Sequence, residues 1–306
     1  MVFPTMITPY TGDGHVDPET ARKYVNWYYE NGCDGIFAVC QSSEIHKLSI
    51  EERVALNRTV YEEAQRFNAT AEKKRLVISS GHVSDDFDTQ VRELNEVYQS
   101  GTDALILITN HLDPNNEGDD VWIANAEKLL KHLPEDVALG LYECPHPYKR
   151  LVTPRILEWC NSVGRFRYMK DTCCDAALIE ERVKILEKGS MKLYNANCQT
   201  LLETLRHGAD GYCGIMANFH PALYVWLCHN FAKEPEKAER VQGLLGSLGY
   251  TEGALPYPLS AKYHMGLCGI PTENIARTRP SEDLTEYAMS SIRQMKCLTD
   301  FAASLL

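Results

Sequence analysis

Eight short apolar runs, each followed by a longer amphipathic stretch, repeat along the first 233 residues without a break. The runs fall at 4–8, 35–39, 75–79, 104–108, 138–142, 166–170, 192–195 and 211–213. Apolar runs of that length, bounded by polar residues, read as buried strands. The stretches between them carry helix-start signals. Asp17-Pro18 opens the first, and Ser49 with Glu52 three residues on forms a capping box for the second. Further helical patterns run over 86–100, 119–133, 153–162, 175–188, 198–207 and 221–233. Strict strand–helix alternation demands a parallel sheet. The simplest closed form for eight units is a (β/α)8 TIM barrel. An open doubly wound sheet is the alternative, but no G-x-G-x-x-G follows any strand. Residues 234–306 show no strand pattern and read as three helices, 235–248, 257–268 and 283–305. The expected organisation is a barrel over 1–233 with a C-terminal three-helix extension over 234–306.

Composition removes several function classes. The formal charge of −11 over 306 residues disfavours nucleic acid and anionic membranes as partners, since both select basic surfaces. No window is apolar for the length a bilayer requires. The N-terminal stretch lacks a basic segment and a cleavage site, so a cytoplasmic protein is expected. Eleven cysteines in such a chain then read as reduced thiols, and no C-x-x-C pair points to zinc.

Barrel enzymes carry their chemistry on the loops after the strands. Here those ends read Cys40-Gln41-Ser42-Ser43-Glu44, Thr109-Asn110-His111, Tyr142-Glu143-Cys144-Pro145, Lys170-Asp171 and Cys213-Gly214-Ile215. Lys170 closes an apolar run, and burial favours the neutral, nucleophilic form of an amine. Such an amine attacks carbonyl carbon to give an imine. Alternation along the strand puts Phe166, Tyr168 and Lys170 on one face. On the preceding strand Tyr142 shares a face with Gly140 and Ala138, whose small size leaves room beneath it. A lysine and a tyrosine on adjacent strand tops suit imine formation with proton transfer by the phenol. The hydroxyls and backbone N–H groups of Ser42 and Ser43 suit a carboxylate.

These residues resemble the dihydrodipicolinate synthase / N-acetylneuraminate lyase family of class I, pyruvate-dependent aldolases. The likeness spans nearly the whole chain. It includes Thr8-Pro9-Tyr10, Glu44 with Leu48, Gly101-Thr102-Asp103-Ala104, Tyr142 with Pro145, Lys170-Asp171, Gly208-Ala209-Asp210-Gly211 and Ala217-Asn218. Tyr142 and Lys170 stand at the family's spacing. The resemblance implies a (β/α)8 barrel with C-terminal helices, assembled as a homotetramer or homodimer. It implies Lys170 as the imine-forming residue and Tyr142 as the proton-transfer residue. It also implies a substrate site drawn from Gln41, Ser42, Ser43, Cys213 and Ile215.

The sequence departs from the family pattern in the parts that choose the second substrate. Both glycines of G-x-x-G-E are replaced, and Gln41 stands at the first hydroxyl position. His111 occupies the place of the tyrosine that reaches a neighbouring subunit's site, and a histidine can still move a proton. The synthase arginine position is Pro147, with Lys149 and Arg150 shifted nearby. The acidic pair of the sialic-acid branch falls near Cys198-Gln199. Glu143 after the tyrosine suggests a neutral or hydroxylated second substrate. The expectation is therefore a Schiff-base lyase or aldolase on a 2-keto acid, with pyruvate as one partner and an aldehyde as the other. No cofactor is needed, because the imine is its own electron sink. Dihydrodipicolinate synthase itself, a keto-deoxy sugar acid dehydratase and a non-catalytic keto-acid sensor stand as alternatives.

Overall fold

The computed structural model describes residues 1–306, the Glu252 side chain aside. Among the described residues seven strands pair in chain order, all parallel. They are β1 (Gly35–Ala38), β2 (Leu76–Ser79), β3 (Ala104–Ile108), β4 (Ala138–Tyr142), β5 (Phe166–Asp171), β6 (Lys192–Asn195) and β7 (Gly211–Tyr212). The connecting helices are α1 (Pro18–Glu30), α2 (Ile50–Asn68), α3 (Phe87–Gln99), α4 (Asp119–Leu130), α5 (Pro154–Val163), α6 (Ala176–Leu186), α7 (Leu201–Arg206) and α8 (Pro221–Asn230). Local chemistry starts them where expected: Asp17 caps α1, and Ser49 with Glu52 forms the capping box of α2.

The run at 4–8 differs from expectation. It forms no ladder of its own, and the ring is closed instead by bridges from Val2 to Tyr212 and from Thr5 to Phe37. The Phe3 N–H donates to the Tyr212 carbonyl at 2.9 Å, the Phe37 N–H to the Pro4 carbonyl at 2.9 Å, and the Met6 N–H to the Phe37 carbonyl at 3.0 Å. Pro4 has no N–H to give, which interrupts a regular ladder. The segment is nonetheless the eighth stave of a (β/α)8 barrel.

Strands buried on both faces sort their side chains by alternation. Ile106, Ile108 and Tyr142 join the inner apolar cluster, while Leu105, Leu107, Leu139 and Leu141 join the outer one beneath the helices. One expectation fails here. The register between β4 and β5 shifts between Leu139 and Gly140, so Leu139 pairs with Phe166 but Gly140 pairs with Tyr168. The irregularity turns Phe166 outward against Trp159, with ring centroids 5.7 Å apart, while Tyr168 and Lys170 stay inside. A bulge flips alternation in this way. The space under Tyr142 is filled as expected: a Cβ on Gly140 would lie 2.5 Å from Ile106 and 2.9 Å from Tyr168.

Three helices follow the barrel: α9 (Pro235–Ala254), longer than the expected 235–248, α10 (Leu259–Leu267) and α11 (Glu286–Ala303). Among the described residues no helix is long and apolar enough to cross a membrane.

Candidate active site

Lys170 and Tyr142 are register partners on β5 and β4. The Lys170 Nζ sits 4.1 Å from the centre of the Tyr142 ring and 5.5 Å from that of Phe37. Phe37 and Tyr142 meet edge to face at 5.5 Å. Below them Phe3, Tyr168 and Tyr194 plug the barrel, with Phe3 and Tyr194 centroids 5.1 Å apart. The amine is therefore held over two aromatic rings. Asp171 does not neutralise it. The next residue on a strand faces the other way, and the Asp171 carboxylate pairs with Arg182 of α6.

Burial pushes the Tyr142 phenol well above its ordinary pKa, and the Cys144 and Cys40 thiols add to the effect. The phenol is thus protonated at neutral pH. The Cys144 thiol donates to the Gln41 carboxamide oxygen at 3.0 Å. Cys213, fully buried, feels Lys170 and Cys40, but burial dominates and raises its thiol to about 12.

The turn after β1 is strained. Val39 takes φ +47° and Glu44 φ +60°, values that cost a β-branched residue most. Between them Gln41–Ser43 form a single 3-10 turn at the barrel mouth. Its side chains divide. Gln41 and Ser42 line a cavity of about 530 Å³ that also contains Lys170, Tyr142 and Ile215. Ser43 is spent on the fold: its hydroxyl donates to the Met6 carbonyl at 2.6 Å and accepts from the Cys40 N–H at 3.1 Å. The Ser42 hydroxyl donates to Thr5 at 3.0 Å.

Two other expected neighbours lie elsewhere. His111 bonds Asp85 at 2.6 Å and lines a separate small cleft on the same chain. Glu143 does not face the cavity, which removes the reason for expecting a neutral or hydroxylated substrate from it. It is fully buried on the far side of the strand, 2.8 Å from Arg182, and accepts the N–H groups of Val152 and Thr172 at 2.8 Å each. Arg150 is also engaged, with Asp113 at 3.0 Å and Asp119 at 2.8 Å. Lys149 donates to the Thr172 carbonyl at 2.8 Å.

Several lining residues were not anticipated. His46 and His146 meet with ring centroids 4.3 Å apart. Although His46 has an exposed edge, loss of water around its ring and the facing His146 lower its pKa to about 4. Tyr257, Pro258 and Thr278 arrive from beyond the barrel and complete the wall. That wall is anchored by a buried pair, Glu44 and Lys262, 3.2 Å apart. Glu44 also accepts the backbone N–H groups of Arg277 and Thr278 at 2.7 and 2.8 Å. Burial lowers the Lys262 amine to about 8 against the pull of Glu44. Arg277 holds Glu52 with two bonds of 2.7 Å. The strand-end rule points only at barrel loops, so it gave no signal for this contribution.

Comparison with known proteins identifies the family. The profile of the dihydrodipicolinate synthetase family matches residues 1–295. The chain belongs to that family. A 4-hydroxy-tetrahydrodipicolinate synthase from Alcanivorax borkumensis is 25% identical over 304 residues, covering 94% of this chain and 97% of the relative. The structure of dihydrodipicolinate synthase from Bacillus anthracis superposes with a TM-score of 0.83 at 19% identity, over 97% of each chain. A prophage protein of the same family from E. coli K12, solved in complex with pyruvate, has a TM-score of 0.83 at 20% identity, covering 98% of this chain and 97% of that one. Membership in the dihydrodipicolinate synthetase family makes the protein a class I, Schiff-base lyase acting on a 2-keto acid.

Proposed function

We propose that the protein joins pyruvate to an aldehyde, or cleaves the resulting 4-hydroxy-2-keto acid, with Lys170 as nucleophile and Tyr142 as acid and base. The observation that carries this reading is the register pairing of the two residues, with the amine 4.1 Å from the phenol ring at the floor of an open cavity. The Lys170 Nζ attacks C2 of the keto acid, and the carbinolamine loses water to give the imine. Tyr142, protonated because it is buried, supplies the proton that the departing hydroxyl needs. The protonated imine withdraws electrons from C3, which loses a proton to give the enamine. The carboxylate lies against Gln41 and Ser42, which line the cavity beside Lys170.

The protein's small-molecule partners are then a 2-keto acid and an aldehyde, handled in the cytoplasm. His111 supports assembly into a homodimer or homotetramer in this reading. It stands outside its own chain's cavity, so a role as proton relay requires a neighbouring subunit.

Borohydride trapping with pyruvate tests the reading. The expected product is a reduced adduct on Lys170, found by peptide mapping and lost in Lys170→Ala. A folded wild-type protein that gives no adduct at any lysine overturns it.

A further inference from the structure

A keto-acid carboxylate needs hydrogen-bond donors, and the turn after β1 has already committed two of its own. The Ser42 hydroxyl donates to Thr5 at 3.0 Å, and the Ser43 hydroxyl to the Met6 carbonyl at 2.6 Å. Gln41 keeps one. Its carboxamide oxygen is held by the Cys144 thiol at 3.0 Å, which leaves its nitrogen as a donor on the cavity wall. A carboxylate has two oxygens, and leaving a desolvated one without a donor is costly.

A second donor arrives from beyond the barrel. Tyr257 lines the same cavity as Lys170, Gln41 and Ser42. Its oxygen accepts from the Asn218 carboxamide nitrogen at 3.2 Å, which leaves the phenol hydrogen to be donated. The sense of the Asn218 amide is fixed. Its oxygen accepts from the Tyr28 hydroxyl, and its nitrogen also reaches the Thr5 and Ile215 carbonyls at 3.0 and 2.9 Å. Burial raises the Tyr257 phenol above its ordinary pKa against the opposing effect of the Ser42 and Thr5 hydroxyls, so it stays protonated. Those two hydroxyls are its neighbours on the side of the turn. The placement is anchored as well. Tyr257 stands two residues before α10, and Lys262 of α10 pairs with Glu44 at 3.2 Å. The Glu44 N–H in turn closes the 3-10 turn on the Gln41 carbonyl at 2.9 Å. One buried ion pair thus ties the segment that presents Tyr257 to the turn that presents Gln41.

Resting on the Schiff-base reading above, we infer that Tyr257 is a further substrate-binding residue: its hydroxyl and the Gln41 carboxamide nitrogen each hold one oxygen of the keto-acid carboxylate while Lys170 engages C2. Tyr257 moves no proton in this arrangement. It selects a 2-keto acid over an uncharged ketone, and it does so from the C-terminal extension rather than from a barrel loop. Lys47, His46 and His146 line the same cavity and are the rival donors.

The test compares borohydride trapping of pyruvate and of its uncharged methyl ester, in the wild type and in Tyr257→Phe. The ratio of the two second-order trapping rates isolates the carboxylate. Phenylalanine keeps the ring, and the ester rate reports that Lys170 is folded and reactive in each preparation. The expected result is a pyruvate-to-ester ratio about tenfold or more lower in Tyr257→Phe, with the ester rate within about twofold of wild type, the usual effect of losing a hydrogen bond to a charged group. An unchanged ratio overturns the assignment, since Lys47 or the histidine pair then holds the carboxylate. Equal loss on both substrates also overturns it, because Tyr257 then only shapes the wall or moves a proton. Absence of a lysine adduct in the wild type overturns the Schiff-base reading and this assignment together.

Discussion

The Cys144 thiol donates to the Gln41 carboxamide oxygen across 3.0 Å, tying the loop after β4 to the turn after β1 directly beside Tyr142. The same thiol contributes to holding the Tyr142 pKa up, so Gln41 and the phenol share one sulfur as neighbour. Cys144→Ala removes it. Deuterium uptake into the pyruvate methyl group, followed by NMR in D2O, should slow about five- to tenfold, the kinetic equivalent of a hydrogen bond of about 1 kcal/mol. Cys144→Ser, which keeps a donor and an acceptor, should recover most of the rate.

Tyr142→Phe isolates the proton-transfer role. The ring still packs edge to face on Phe37, so the melting temperature should move little. Methyl exchange should fall by roughly 10²–10⁴, the usual contribution of a positioned acid–base group. The adduct on Lys170 should still form on long incubation with borohydride. A rate within threefold of wild type would remove Tyr142 from the chemistry.

Behind the site, Arg182 is sandwiched between Glu143 and Asp171 with almost no exposure. The pair of carboxylates holds the ends of β4 and β5 at the height where Tyr142 and Lys170 meet. Arg182→Leu strands both acids in the interior and should cost roughly 3–5 kcal/mol, read from urea midpoints. Adding Glu143→Gln should restore part of that loss, because only one buried charge then remains.

Acid should weaken the fold well above the carboxylate range. Burial holds His264 at about 4 and His220 at about 3, and drives His82 well below its ordinary value. Each folded pKa lies below that of the unfolded chain, near 6.5. The unfolded state therefore binds more protons, and stability, fully present above about 6.5, declines as pH falls through the interval down to the folded values. Denaturant midpoints measured at about pH 7 and about pH 5 should differ accordingly. His264→Gln should flatten the slope.

The strand-top geometry was legible because it depends on local rules. Alternation put Tyr142 on the inner face, and small residues at 138 and 140 announced space beneath it. What escaped depended on distant partners. Whether Ser42 or Ser43 faces the cavity is decided by the carbonyl of Met6 and the hydroxyl of Thr5, far away in the chain. Glu143 looked available until Arg182, on a later helix, claimed it. Phe166 was misdirected by a bulge that nothing in its own run announces. Tyr257, Pro258 and Lys262 belong to a stretch with no strand pattern, so nothing local ties them to the barrel mouth.

The bridges from Val2 to Tyr212 and from Thr5 to Phe37 have a consequence for synthesis. One flank of the opening segment can be satisfied as soon as β1 has left the ribosome. The other waits for β7, about 175 residues after β1, which at ordinary elongation rates is roughly 9–35 s. Through that interval the nascent barrel is an unsealed curved sheet, with open backbone groups at its last-made edge. Mutations that slow the arrival of β7 should lower the yield of soluble protein more than they lower the stability of what has already folded.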